Sequence, residues 1–141
     1  EDFLDDSRFQ EILPDAYEFE HPERVSRVIF CSGKVYYDLL TYREEQQIKD
    51  AAIVRVEQLY PLNREGVKMA ISPYSNAKKF IWCQEEPLNM GAWSFMQPRL
   101  AKLTKARVRY AGRERASSPS TGSKAVHKRE QKKLVEKAFS V

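Results

Sequence analysis

Glycine, cysteine and histidine are scarce in this chain: its 141 residues hold five glycines, two cysteines and two histidines. Each scarcity excludes a class of site. A dinucleotide-binding fingerprint needs three closely spaced glycines after a strand, and Ser32-Gly33-Lys34 supplies one. Gly122-Ser123-Lys124 carries the letters of a phosphate-binding loop in the wrong order, and position 117, where its other glycine belongs, is Ser. Cys31 and Cys83 sit apart in apolar runs, with no Cys-x-x-Cys or Cys/His cluster, so they read as reduced core thiols and no metal site is expected. His21 and His127 have no Ser or Cys nucleophile motif beside them, so no catalytic set is evident. No apolar run approaches the roughly 20 residues of a membrane span. The leader Glu1-Asp2-Phe3-Leu4-Asp5-Asp6 is acidic, unlike a signal peptide, and the first residue is not Met. The expectation is a chain that begins inside a longer polypeptide.

What is present is a globular composition, 42% hydrophobic and 11% aromatic, in a length suited to one domain with one core. The net charge of +4 hides an asymmetry. Residues 1–24 hold nine acids and two bases, and the remainder holds eleven acids and 22 bases. A basic balance is compatible with nucleic acid, but the bases are not interleaved with stacking aromatics, so no nucleic-acid partner is expected.

Hydrophobic periodicity predicts four strands alternating with four helices. Val25 to Cys31 reads as a strand ending at a Ser-Gly turn, and Val35 to Gln46 as an amphipathic helix. Ala51 to Val56 is apolar on both faces, as a central parallel strand should be. Asn63 is placed to cap a helix from Arg64 to Ile71, which Ser72-Pro73 stops. Lys78 to Gln84 reads as a third strand, and Gly91 to Leu103 as a helix that Pro98 kinks or delays. Arg107 to Tyr110 is a short fourth strand. Ser123 to Phe139 is a final helix with Val126, Leu134, Val135 and Ala138 inward. The order implies an α/β fold, a mainly parallel sheet with helices on both faces. Residues 1–24 read as an incoming linker that packs on a domain spanning 25–141.

The most informative stretch is Trp82-Cys-Gln-Glu-Glu-Pro-Leu-Asn-Met-Gly-Ala-Trp93. An apolar strand runs into paired carboxylates, a proline, an amide and a glycine, where functional loops of α/β sheets lie. Glu85 and Glu86 are adjacent, so on extended backbone they point to opposite sides and do not form an acid/base pair across one site. One faces the protein and one a surface. Trp93 is expected to anchor the next helix in the core. The hydroxyl-rich loop Ser117–Ser123 opens the last helix and offers amides and hydroxyls to an anion or a partner carboxylate.

Five ordered segments carry a resemblance: Cys31-Ser-Gly-Lys-Val-Tyr-Tyr-Asp-Leu-Leu40, Ala52-Ile-Val-Arg-Val-Glu-Gln-Leu-Tyr-Pro61, Trp82 through Trp93, Arg109-Tyr-Ala-Gly-Arg113 and Thr121-Gly-Ser-Lys-Ala-Val-His127. Together they make the chain similar to the C-terminal domain of the thiamine diphosphate-dependent decarboxylase component of 2-oxoglutarate dehydrogenase. The resemblance implies a Rossmann-like transketolase C-terminal fold. It implies a homodimeric oxidoreductase of the tricarboxylic acid cycle that decarboxylates 2-oxoglutarate and passes the succinyl group to a lipoyl arm on the dihydrolipoyl succinyltransferase. Thiamine diphosphate and Mg²⁺ would be held by the preceding domains, leaving this segment with no catalytic residue and no cofactor or metal of its own. It places the protein in the bacterial cytoplasm, or in the mitochondrial matrix of a eukaryote, with no membrane partner.

On that footing, Gln84, Glu85, Glu86, Asn89, Ser118, Ser120, Thr121 and His127 are the expected interdomain or dimer contacts. Some relatives bind acetyl-CoA against this domain, and Arg8, Gln58 and Arg64 mark where such a site would lie. After Leu62 those relatives have a run of arginines, whereas this chain has Asn63-Arg64-Glu65-Gly66. Loss of the bases removes phosphate partners, so this regulation is not expected. The alternative is a free-standing Rossmann-like domain that binds an anionic nucleotide or CoA ester at the helix starts after Gly33 and Gly122.

Overall fold

The computed structural model describes residues 11–115 and 124–141. Five strands form one sheet: β1 (Ile12–Leu13), β2 (Arg27–Cys31), β3 (Ala51–Val56), β4 (Lys79–Pro87) and β5 (Val108–Arg113). Four helices accompany them: α1 (Val35–Glu45), α2 (Arg64–Ile71), α3 (Trp93–Thr104) and α4 (Lys124–Ala138). The spatial order is β1-β3-β2-β4-β5. The last four strands are mutually parallel, and β1 is antiparallel to β3.

Strand alternation divides the core in two. Val28, Phe30, Ala52, Val54, Phe80 and Trp82 face Val67 and Ala70 of α2 and Met96 and Leu100 of α3. Ile29, Cys31, Ile53, Ile81 and Cys83 face Val35 and Leu39 of α1 and Leu134, Val135 and Ala138 of α4. Both sets are buried because crossover helices cover both faces, which is why these strands read as continuous apolar runs. At the lower end Arg27, itself buried, donates to the main-chain oxygens of Ala138 and Val141 at 3.0 and 2.9 Å and pins the end of α4 under the sheet.

Three details differ from the sequence reading. The segment before residue 25 contributes a strand: Ile12 pairs with Val56, and the amides of Glu57 and Gln58 donate to Glu11. This covers the outer edge of β3, which would otherwise present unpaired backbone groups. β4 does not stop at Gln84 but runs through Glu85 and Glu86 to Pro87, which is opposite Arg113 across an irregularity that begins after Cys83. A bulge lets the ladder resume where a proline, lacking a donor, finally ends it. Pro98 leaves α3 continuous; the helix starts at Trp93 because Gly91 takes a positive φ of 72° that no helix admits.

The cap at Asn63 forms as the sequence suggests, its side chain accepting from the Gly66 amide at 2.9 Å. A Cβ at Gly66 would meet the Asn63 side chain at 2.8 Å and Ile12 at 2.9 Å. Glycine here serves the close approach of α2 to β1.

Candidate functional site at the carboxyl edge of the sheet

The chain runs from β2 outward to β3 and then returns to the other side of β2 to form β4. The crevice between the carboxyl ends of β2 and β4 is therefore the switch point at which open α/β sheets take ligands. Gly33 and Lys34 leave β2 there, and Gln84, Glu85 and Glu86 lie at the end of β4.

An ion network fills the crevice. Lys34 Nζ bonds Glu85 Oε1 at 2.7 Å. Gln131 of α4 donates to the same oxygen at 3.1 Å and to Asp38 of α1 at 2.8 Å. Arg113, at the end of β5, uses its whole fork: Nε donates to the Glu85 carbonyl at 2.8 Å, Nη1 to Glu130 at 2.8 Å and Nη2 to Gln131 at 2.7 Å. His127 Nδ1 lies 3.5 Å from Arg113 Nη2. The hydrogen bond to Glu85, and then its charge, raise the Lys34 ammonium above its ordinary value. The network joins α1, β4, β5 and α4 by charge-assisted bonds.

Beside it, Gln84 staples the following loop. It is 3% exposed, its amide donates to the carbonyls of Glu86, Pro87 and Met90, and its oxygen accepts from Trp82 Nε1 at 2.8 Å. The Tyr110 hydroxyl donates to Arg113 at 2.5 Å and also reaches the Glu86 carbonyl at 3.3 Å, and burial pushes its pKa up to about 12. Trp93 is half-buried, edge-on to Tyr110 at 5.2 Å between centroids. Its ring thus packs on the rim of the core rather than inside it.

The expected residues therefore separate. Gln84 is internal, Glu85 is the hub of the ion network, and Glu86 and Asn89 are exposed on the edge. His127 is exposed beside Arg113. Gln58 donates within its own loop to the Pro61 carbonyl at 3.4 Å, and Arg64 opens α2 in solvent. Arg8, Ser118, Ser120 and Thr121 lie outside the described residues. Sequence reasoning does not single out Lys34, Asp38, Arg113 or Gln131 as members of the site. Gln131 carries a signal: it precedes Leu134 and Val135 by three and four residues, which puts an amide on the inward face of a charged helix.

The chemistry of the crevice is that of a clasp. The Gly33 amide donates to Glu57 at 3.3 Å, and Glu57 also pairs with Arg55 at 3.0 Å. A carboxylate thus occupies the position a phosphate would take. Burial raises both thiols, that of Cys83 to about 12, which removes them as nucleophiles near neutral pH. Among the described residues no group of three His, Cys, Asp or Glu is placed to hold a metal ion.

A family model described as 2-oxoglutarate dehydrogenase C-terminal matches residues 1–139. The chain is 44% identical over 141 residues to the 2-oxoglutarate dehydrogenase E1 component of Haemophilus influenzae, covering 99% of this chain and 15% of that protein. It is 42% identical to the E1 component of Azotobacter vinelandii, covering 94% of this chain and 14% of that one. It is 44% identical to the mitochondrial 2-oxoglutarate dehydrogenase of Caenorhabditis elegans, covering all of this chain and 14% of that protein. The fold is also that of a solved structure, a split-gene transketolase described as an inactive β4 tetramer. That likeness has a TM-score of 0.54 at 14% identity and covers 88% of this chain and 42% of that one.

Proposed function

We propose that this chain, which belongs to the 2-oxoglutarate dehydrogenase C-terminal family, completes and braces a much longer thiamine diphosphate enzyme without contributing a reacting group. It spans only 14–15% of the length of the relatives above. The parent activity is decarboxylation of 2-oxoglutarate with succinyl transfer to lipoyl groups of a dihydrolipoyl succinyltransferase, in a homodimer. The compartment is the bacterial cytoplasm or the mitochondrial matrix, in keeping with bacterial and mitochondrial relatives. No described helix is long and apolar enough to cross a membrane.

The observation that carries this reading is the closed switch point. Thiamine diphosphate with Mg²⁺ does not fit the described residues of the crevice, because Glu57 faces the Gly33 turn that opens α1 and Lys34 and Arg113 are already paired. The same arrangement speaks against a sensor of anionic nucleotides at the helix start after Gly33, since the cations that would bind a phosphate there are neutralised; Gly122 lies outside the described residues.

The test is made in the full-length polypeptide. Glu85→Ala removes the hub between α1 and α4, and the expected result is a weakened dimer in sedimentation together with reduced 2-oxoglutarate turnover. Unchanged sedimentation and unchanged turnover would overturn the proposal.

A further inference from the structure

The polar groups of the carboxyl edge are largely spent on one another, so a partner docking there needs other anchors. Among the described residues five large apolar side chains are strongly exposed: Tyr17, Tyr37, Tyr60, Met69 and Met90. Single exposed apolar residues need no explanation. Three of these, however, follow the ends of β2, β3 and β4 and so share one edge of the molecule.

Tyr60 is the centre of the group. It is 69% exposed, yet its ring is held against Phe95 at 4.1 Å between centroids, and the Arg99 guanidinium lies 3.7 Å from the Phe95 centroid. Nearby in sequence, the Met90 carbonyl is fixed by the Gln84 staple at 2.8 Å. The result is an aromatic platform whose ordering cost is already met in the folded domain, the property of an interface anchor. The outer face of α4 differs: Lys128, Arg129, Lys132 and Lys133 are all exposed and no large apolar side chain lies among them, as suits a solvated surface.

We infer that the platform of Tyr60 and Phe95, together with Met90, is the surface that docks an apolar face of the remaining polypeptide. The inference rests on the preceding reading. Its occupant follows from length, because the curated relatives carry this domain as 14–15% of one continuous protein. Tyr60 and Met90 supply the dry centre, and exposed Glu86 and Asn89 belong to the polar rim.

Hydroxyl-radical footprinting of the full-length protein, with the 141-residue chain as reference, tests the assignment. Met69 is the internal control: it is 73% exposed and sits on α2, against 43% for Met90. In the reference chain the two should oxidise within about twofold of each other, in line with their exposures. In the full-length protein Tyr60 and Met90 should slow by about tenfold while Met69 keeps its rate, because interface centres exclude water. If Met69 slows while Tyr60 and Met90 do not, another face docks, and the inference falls with the bracing role intact. Slowing of all three alike overturns it too. If none slows, the platform is not a docked surface and the inference falls, while the bracing role is decided separately by the Glu85→Ala test. Should the reference chain be unfolded, the ratio of Met90 to Met69 oxidation within the full-length protein decides by the same criterion.

Discussion

Asp15 and Arg43 form a buried two-pronged ion pair that fastens the N-terminal segment to the sheet. The Asp15 side chain is 1% exposed, and its second oxygen meets Arg43 Nη2 at 3.1 Å. The carboxylate also accepts from the Ile53 amide at 2.7 Å and the Tyr17 amide at 3.0 Å, while Arg43 donates to the Ala51 carbonyl at 3.1 Å. One side chain thus satisfies an edge amide of β3 that β1 is too short to reach. Asp15→Ala leaves the guanidinium buried beside nothing of opposite charge, and breaking such a pair costs about 3–5 kcal/mol. Urea denaturation of the variant checks this. A loss below about 1 kcal/mol, the range of an exposed pair, would show that the clasp does not hold the segment.

The Gln84 staple gives a second prediction. Gln84→Ala strands the Trp82 indole N–H inside the core and releases three carbonyls of the loop. Loss of one buried partner costs about 1–3 kcal/mol. The loop of residues 87–92 should then exchange its amide protons faster than β2 and β3 do. Hydrogen exchange read by mass spectrometry distinguishes this local loosening from uniform destabilisation.

Much of the architecture is legible in the sequence, and the features that are not share one cause. Strands β2 and β3 and helix α2 announce themselves through apolar runs, and Asn63 through its capping chemistry, all of which are local. The clasp Asp15–Arg43, spanning 28 positions, and the pair Lys34–Glu85, spanning 51, join residues that no periodicity links. Strand β1 is two residues long and exists because β3 has an edge to cover, a fact of topology rather than composition. Glu85 and Glu86 are separable by strand alternation; that the inward one meets a lysine and a glutamine depends on which helices flank the strand.

Alkaline pH should unfold the domain, with a sign fixed by the shifts. Burial raises Tyr74 and Tyr110 to about 12 from an ordinary 10, and Glu85 raises Lys34 above its ordinary 10.5. In each case the folded state holds its proton longer than the unfolded chain. The stabilisation is therefore complete below pH 10 and is lost as pH rises towards 12. Absorbance titration at high pH should resolve a late tyrosinate component that shrinks in Tyr74→Phe. Lys34 is well exposed, so Lys34→Met should change stability at neutral pH by no more than about 1 kcal/mol.

The two thiols give the last test. Cys31 and Cys83 are opposite each other on adjacent parallel strands and wholly buried, and burial is the first cause of the rise in both. With Cys83 at about 12, its thiolate fraction at pH 8 is on the order of 10⁻⁴, against roughly a quarter for a free thiol of ordinary pKa. A thiol-reactive chromophore at pH 8 should therefore report almost no reaction with the folded chain and two equivalents on unfolding. Because access as well as ionisation is denied, the observed rate should follow the population of the open state and fall in proportion when the domain is stabilised. Asp15→Ala should accelerate labelling of both cysteines together if the clasp holds the whole sheet. Faster labelling of one alone would place the clasp's effect within a local unit and limit its reach to the β3 edge.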